Sequence, residues 1–411
     1  MIKLDLKADI FIALLYLLIF NISSFYCYYL NGDSKKGEFY KAINVGQTSQ
    51  TLTSGSKVPR TKLTYFYNNG EYALKSIIGT LIHDLSSKTC LDLTEENNIN
   101  KAKLEFGLVT NKFTSLDNPN ESKKVAIPQM CTNKPGCIKA QIFFALGMIP
   151  PHQRPDRDIY IEVKKENVDK QTCKADKLFE IVPPGENAFV NGGYDFGSIA
   201  HIKRYFCYNN REAPISAYID QYNEMMGRDD GLSFNDVKFI NTQYCMNDAC
   251  EKKVSNECQN YGYKDPNDCT KCICPNGFDG NFCEKMKKSD EACKGGDRYA
   301  SPDNYNIKLT GNVNCYFNFT SLEHHIIEFH IKKLKTNSDN LICTEGKSFE
   351  LKHQQDIGTT GLCLCKDYSN IVIRSHSNYA YLIIHGHDGF SLDLDFKRIF
   401  APVYEPTIIS G

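Results

Sequence analysis

Six cysteines, Cys250, Cys258, Cys269, Cys272, Cys274 and Cys283, crowd into 34 residues of a 411-residue chain that holds eighteen in all. A segment that short cannot bury enough apolar surface to stay folded, so disulfides or a metal must replace a core. Disulfides persist outside the cell, whereas thiolate metal sites suit the reducing interior. The N-terminus separates the two. Lys3 and Lys7 precede the apolar run Ile10–Phe20, and the small residues Ser23 and Ser24 follow it. Eleven apolar residues suit a signal peptide over 1–26 and fall short of a spanning helix, although apolar residues 25–30 leave an uncleaved anchor open. The expectation is therefore a secreted, extracellular protein with no membrane contact beyond that possible anchor. A Cys269-x2-Cys272 zinc ribbon fails on compartment and on the lack of a second matching pair.

Periodicity and spacing divide the rest. Residues 27–56 are polar, without an apolar repeat, and read as a leader. Thr64–Tyr67 is strand-like, and Leu74, Ile77, Ile78, Leu81, Ile82 and Leu85 recur at helical spacing over Tyr72–Leu85. Cys90–Leu93 and Leu104–Val109 again read as strands, so 57–249 is an α+β domain. The cysteine-rich module spans 250–284. Over 293–400, short alternating runs such as Ile326–Ile331, Ile371–Ile373 and Tyr381–Ile384 argue for an antiparallel β-sandwich. Lys plus Arg number 48 against 49 Asp plus Glu, with no basic run, which excludes a dedicated nucleic-acid binder.

Several motifs carry a family resemblance. Cys272-Ile273-Cys274 followed by the Gly-bearing hairpin to Cys283 resembles an EGF-like module. Cys293-Lys294-Gly295-Gly296, the Ser301–Tyr305 turn, Cys315, Cys343 and Gly389–Leu392 resemble a CUB domain. Arg154-Pro155-Asp156-Arg157-Asp158-Ile159-Tyr160-Ile161, then Tyr194–Ile202, with Thr89-Cys90 and Asp236–Cys245, resemble the astacin family of zinc metallopeptidases, a metzincin fold. The resemblance implies a peptidase-like domain followed by both accessory modules.

That family binds zinc through His-Glu-x-x-His-x-x-Gly-x-x-His. Two His one helical turn apart face one side, Gly turns the chain, a third His closes the site, and the Glu activates the bound water. Counted back from Arg154 without gaps, the three zinc-ligand positions fall on Ala140, Phe144 and Pro150, the general base on Gln141 and the Gly on Gly147. None of those three side chains has a lone pair for a metal, and an amide is no base at neutral pH. The family's Met-turn Met falls on Ala200, its Tyr on Ile202, and the Glu after the third His on Pro151. No His-x3-His pair occurs in 63–250, whose histidines are His83, His152 and His201. Residues 140–149 therefore read as a buried core helix, with Phe143 and Phe144 filling volume and Pro150-Pro151 ending it. The expectation is no catalytic residue, no metal and no cofactor, with zinc only if the alternative of an active metalloendopeptidase holds.

The resemblance also implies disulfides pairing Cys90 with Cys245, Cys250 with Cys269, Cys258 with Cys272, Cys274 with Cys283, Cys293 with Cys315, and Cys343 with Cys363 or Cys365. Cys131, Cys137, Cys173 and Cys207 are left without an assigned pairing. Asn120 and Asn318 head glycosylation sequons. Asn31-Gly32-Asp33 faintly resembles the family's zinc-blocking pro-segment motif and reads better as a turn. Lys123–Pro128 occupies the place of the family's substrate-facing edge strand, where an extended peptide could add without being cut. The partner expected is an extracellular protein or peptide.

Overall fold

Every third or fourth residue of Tyr72–Lys88 is apolar, and that stripe folds as helix α1 with Leu74, Ile78, Leu81, Ile82 and Leu85 all buried. The computed structural model describes residues 60–68, 72–109, 124–169, 178–182, 192–209, 212–229, 231–245, 257–336 and 342–401. The signal and leader segments, Asn31–Asp33, Asn120, Lys123, Cys173 and Cys250 lie outside the described residues.

Helix α1 crosses over between β1 (Thr61–Asn68) and β2 (Leu91–Glu95), which pair in parallel. Strands β3 (Leu104–Val109) and β4 (Lys124–Pro128) extend the sheet in the order β2-β1-β3-β4, all parallel among the described residues. Parallel neighbours require such crossovers, and the sheet buries Leu63, Leu104, Phe106, Val125 and Ile127. Against it packs α2 (Pro135–Ala145), burying Ile138, Ile142 and Phe143 in the core that α1 fills.

Helix α2 differs from expectation at both ends. It starts five residues before Ala140, and the prolines do not stop it. Gly147 does, at φ +89°, where the Met148 amide donates to the Phe143 carbonyl at 3.0 Å and the Gly147 amide to Phe144 at 2.9 Å. This is a Schellman ending, with Met148 buried beneath it. Pro150 and Pro151 come only after the helix has already closed.

Below the helix the chain becomes irregular, with the short antiparallel pair β5 (Ile161–Val163) and β6 (Ile215–Ala217). Helix α3 (Phe234–Ile240) starts with a capping box: the Ser233 hydroxyl accepts from the Asp236 amide, and the Asp236 carboxylate accepts from the Ser233 amide. A π-helical turn over Asn241–Cys245 then delivers Cys245 to Cys90, 155 residues away in sequence.

The cysteine-rich segment holds two hairpins, β7 (Tyr263–Asp265) with β8 (Asp268–Ile273) and β9 (Phe278–Asp279) with β10 (Lys285–Met286). Cys258–Cys272 and Cys274–Cys283 bond as expected. Cys269 is also disulfide-bonded, and its expected partner Cys250 lies outside the described residues.

A two-sheet sandwich follows. One sheet runs β11 (Asp297–Tyr299), β13 (Asn314–Thr320), β18 (Tyr379–His385), β15 (Phe349–Lys352), β16 (Leu362–Leu364). The other runs β12 (Tyr305–Thr310), β19 (Ser391–Phe400), β14 (His325–Lys335), β17 (Tyr368–Arg374). All pairs are antiparallel except β11 with β13, which is parallel. Cys293 pairs with Cys315, and Cys343 pairs with Cys365. Cys363, one of the two candidates for Cys343, is a free buried thiol. The register explains the choice. Cys363 lies opposite Glu350 within the paired strands, whereas Cys365 lies past Leu364, which pairs with Phe349 at the end of β15 nearer Cys343.

The sandwich core does not stop at the sandwich. Phe317, Phe329, Leu351, Leu362 and Leu394 belong to one cluster with Ile161, Tyr194, Phe196, Ile215, Tyr222, Met225 and Met226 from before α3. Phe196 stacks on Tyr222 at 4.0 Å between ring centroids, and Tyr194 on Tyr160 at 4.6 Å. Each buried aromatic of this kind contributes about 1.5–3 kcal/mol.

Candidate functional site

Ala140 and Phe144 lie four residues apart and so share a face of α2, the geometry that two metal-binding histidines would need. Ala140 is half-buried, and Phe144 packs against the upper core. Gln141 is 2% exposed, and the neighbouring Phe143 is 1% exposed. Pro150 and Pro151 are buried just beyond the Schellman turn. Among the described residues, no three His, Cys, Asp or Glu side chains gather where they could hold a metal ion. Methyl, phenyl and pyrrolidine groups at these positions offer no donor, so the residues present do not fit a zinc ion.

Sequence spacing did not foresee that His152 and His201 meet. Their ring centroids are 5.8 Å apart, and both residues are almost fully buried. His201 shares a hydrogen bond of 2.9 Å through Nε2 with the Tyr194 hydroxyl, while its Nδ1 lies 2.9 Å from the Ile202 carbonyl. His152 Nδ1 accepts from the Ile202 amide at 3.3 Å, and its Nε2 has no hydrogen-bond partner. Burial lowers both imidazoles, His201 to about 4 and His152 well below its ordinary value, the latter also through His201 and the Arg157 charge. Both rings are neutral at physiological pH. His83 stands apart on α1 and is exposed.

The arginine cluster after Pro150 is structural. Arg154 clasps Asp156 in a two-point ion pair (2.8 and 2.7 Å) and donates to the Gly192 and Gly193 carbonyls. Arg157 donates to the carbonyls of His152 (2.7 Å) and Phe179 (2.6 Å) and pairs with exposed Asp158. Together they tie the Gly192–Gly197 loop and the chain beyond it into one frame.

Ile199 and Ala200 enter the upper core, so the Ala200 side chain is a packing group, and Ile202 packs against the lower one. Asp236 holds this turn in place: its carboxylate accepts from the Ser198 hydroxyl (2.6 Å) and the Ile199 amide (2.9 Å). A cavity of about 70 Å³ lies beneath, lined by Met148, Pro151, Arg154, Asp195, Asn235 and Asp236. It is too small for a peptide side chain of any size.

Strand β4 forms an edge among the described residues, with Val125 and Ile127 turned into the core. The unassigned Cys131 bonds Cys137 across the start of α2, and Cys207 is disulfide-bonded too.

Residues 51–245 match the family model for the astacin peptidases. This segment belongs to the astacin family. The zinc metalloproteinase dpy-31 of Haemonchus contortus is 30% identical over 292 residues, covering 67% of this chain and 52% of that protein. The zinc metalloproteinase nas-37 of Caenorhabditis elegans is 26% identical over 334 residues, covering 80% of this chain and 41% of that protein. The chain thus spans about half or less of the length of these curated relatives. Among solved structures, high choriolytic enzyme 1, a hatching enzyme zinc-protease from the medaka Oryzias latipes, aligns at 19% identity and a TM-score of 0.38. That alignment covers 48% of this chain and 98% of that one, a likeness too slight to argue from. The chain is an astacin-family homologue: an α+β domain followed by a disulfide-rich β-sheet region.

Proposed function

We propose that this astacin-family homologue has given up zinc and peptide hydrolysis and acts as an extracellular binding or regulatory protein. The observation that carries the reading is the filled metal position: Ala140 and Phe144 on one face of α2, Gln141 buried beside them, and Pro150 where the third ligand belongs. Two neutral histidines nearby, His152 and His201, are committed to hydrogen bonding within the lower half. The disulfides and the family of the relatives support an extracellular setting. In this reading 250–284 is an EGF-like module, 293–400 a CUB-like domain, and an extracellular protein or peptide the partner. Asn120 and Asn318 would carry glycans. The Asn318 side chain is half-buried on β13 and donates to Asp297 at 3.1 Å, so its modification would require that bond to break.

The test is zinc per chain in the purified, secreted protein, combined with hydrolysis of an unstructured protein substrate. Less than a tenth of an equivalent of zinc and no cleavage is the expected result. Stoichiometric zinc with chelator-sensitive cleavage would overturn the reading and establish the second one, an active metalloendopeptidase, which the relatives' names favour.

A further inference from the structure

The surface between the astacin-family segment and the sandwich buries six charged side chains in one patch. Asp195 and Asp236 come from the family segment, and so does Arg228, in the loop before α3. Glu345, Glu350 and Lys352 come from the sandwich. Arg228 pairs with Glu345 across the junction at 3.3 Å, with side chains 9% and 17% exposed. Lys352 pairs with Glu350 at 3.0 Å, with side chains 1% and 2% exposed. Four carboxyl groups thus share two cations in a region closed to water, an arrangement that holds all four ionised only at high cost.

The same junction clamps the loop that leads into Ser198–Ile202. The Gly193 amide donates to Asp356 at 2.8 Å, Gln354 Nε2 to the Tyr194 carbonyl at 2.9 Å, and the Cys343 amide to the Glu224 carbonyl at 3.0 Å. The Cys363 amide points at Met225 Sδ, 3.2 Å away. Docking of the sandwich and the position of the floor of the former metal site are therefore one equilibrium.

We propose that this junction is a proton-held latch, in which Glu345 carries a proton while the sandwich is docked and docking weakens once that proton is lost. Burial and the Glu350 charge push Glu345 up to about 7 against an ordinary 4.5, while Lys352 and Arg228 pull the other way. A carboxyl group raised in the docked state favours docking as pH falls, and the advantage fades as pH rises from 4.5 through 7. The other groups facing the patch are Asp195, Asp236, Glu350, the Cys363 thiol, Tyr222 and His353, whose Nε2 lies 2.8 Å from the Tyr222 hydroxyl. The two aspartates, both raised, act in the same direction as Glu345. His353, lowered to about 3 by burial, acts against it below about pH 6.5. The contribution of Glu345 is isolated by comparing the wild type with Glu345→Gln, which keeps the shape and removes the titration.

The experiment is native-state hydrogen exchange on the full secreted chain from pH 5 to 8, corrected for intrinsic rates. The reporters are the Gly193, Cys343 and Cys363 amides, which bond across the junction. The ratio of wild-type to Glu345→Gln opening constants is expected to rise about tenfold between pH 6 and pH 8. Glu323→Gln, an exposed loop position, should track the wild type throughout. A ratio flat within twofold overturns the proposal. If Glu345→Gln fails to fold, the wild type alone decides: junction opening must rise at least threefold from pH 6.5 to 8, and an unchanged opening constant refutes the latch.

Discussion

Replacing Lys352 by Met removes one partner of an ion pair that is closed to water on all sides. Lys352 Nζ lies 3.0 Å from Glu350 Oε1 and donates to the Thr359 carbonyl at 2.9 Å. Glu350 in turn accepts from the Gly361 amide at 3.0 Å and from Asn276 of the cysteine-rich segment at 2.7 Å. Met fills the space of the lysine stem but leaves a carboxylate buried without a counter-charge, which costs about 3–5 kcal/mol. The cooperative unit is larger than the sandwich, because the core continues into residues 161–226. For a unit of roughly 150–250 residues, that cost lowers the thermal midpoint by about 6–20 °C. Near-ultraviolet circular dichroism would follow it through the tyrosines, since the chain has no Trp. Adding Glu350→Gln to Lys352→Met should recover more than half of the loss, because the stranded charge goes while most acceptors remain. A single variant within 2 °C of the wild type, or a double variant no better than the single one, would refute the reasoning.

Truncating Phe143 to Ala should cost about 3–5 kcal/mol in urea denaturation, as expected for a ring filling the upper core; a loss under 1 kcal/mol would mean that the site beneath α2 is not packed. Gly147→Ala meets no atom within 4 Å, so its expected cost of about 1–2 kcal/mol is backbone strain at φ +89°, and a neutral result would contradict the Schellman ending. Ser233→Ala removes the cap of α3 and should cost about 1 kcal/mol by the same assay. His201 is neutral in both states above pH 6.5. As pH falls from 6.5 toward 4 the unfolded chain takes up a proton that the folded chain refuses, so stability is lost across that window, up to about 3 kcal/mol. Equal urea midpoints at pH 7 and 4.5, or a loss that His201→Gln does not reduce, would count against it.

What was legible in the sequence was local. Leu74 through Leu85 announce α1 because one helical face meets one core, and the cysteine spacing announces five of the bonds because each joins residues within a single unit or motif. The loss of metal donors at Ala140, Phe144 and Pro150 is likewise written in residue type. Distance in sequence hid the rest. The choice of Cys365 over Cys363 depends on the pairing of β15 with β16. The stop at Gly147 was masked by two prolines that looked sufficient. The meeting of His152 with His201 depends on a turn that Asp236 anchors from 37 residues beyond Ile199. Tyr194, Phe196 and Tyr222 carry no periodic signal; they are buried because a β-sheet from the far end of the chain covers them.

That covering bears on how such a chain can change over generations. A module that owns its whole core can be copied, swapped or deleted by recombination and still fold elsewhere. Here Leu351 and Leu362 lean on Tyr222 and Met225, residues encoded more than a hundred positions upstream. A break between the two stretches would strand apolar surface on both sides, so the sandwich and the lower half of its neighbour must be inherited together and accept substitutions in concert.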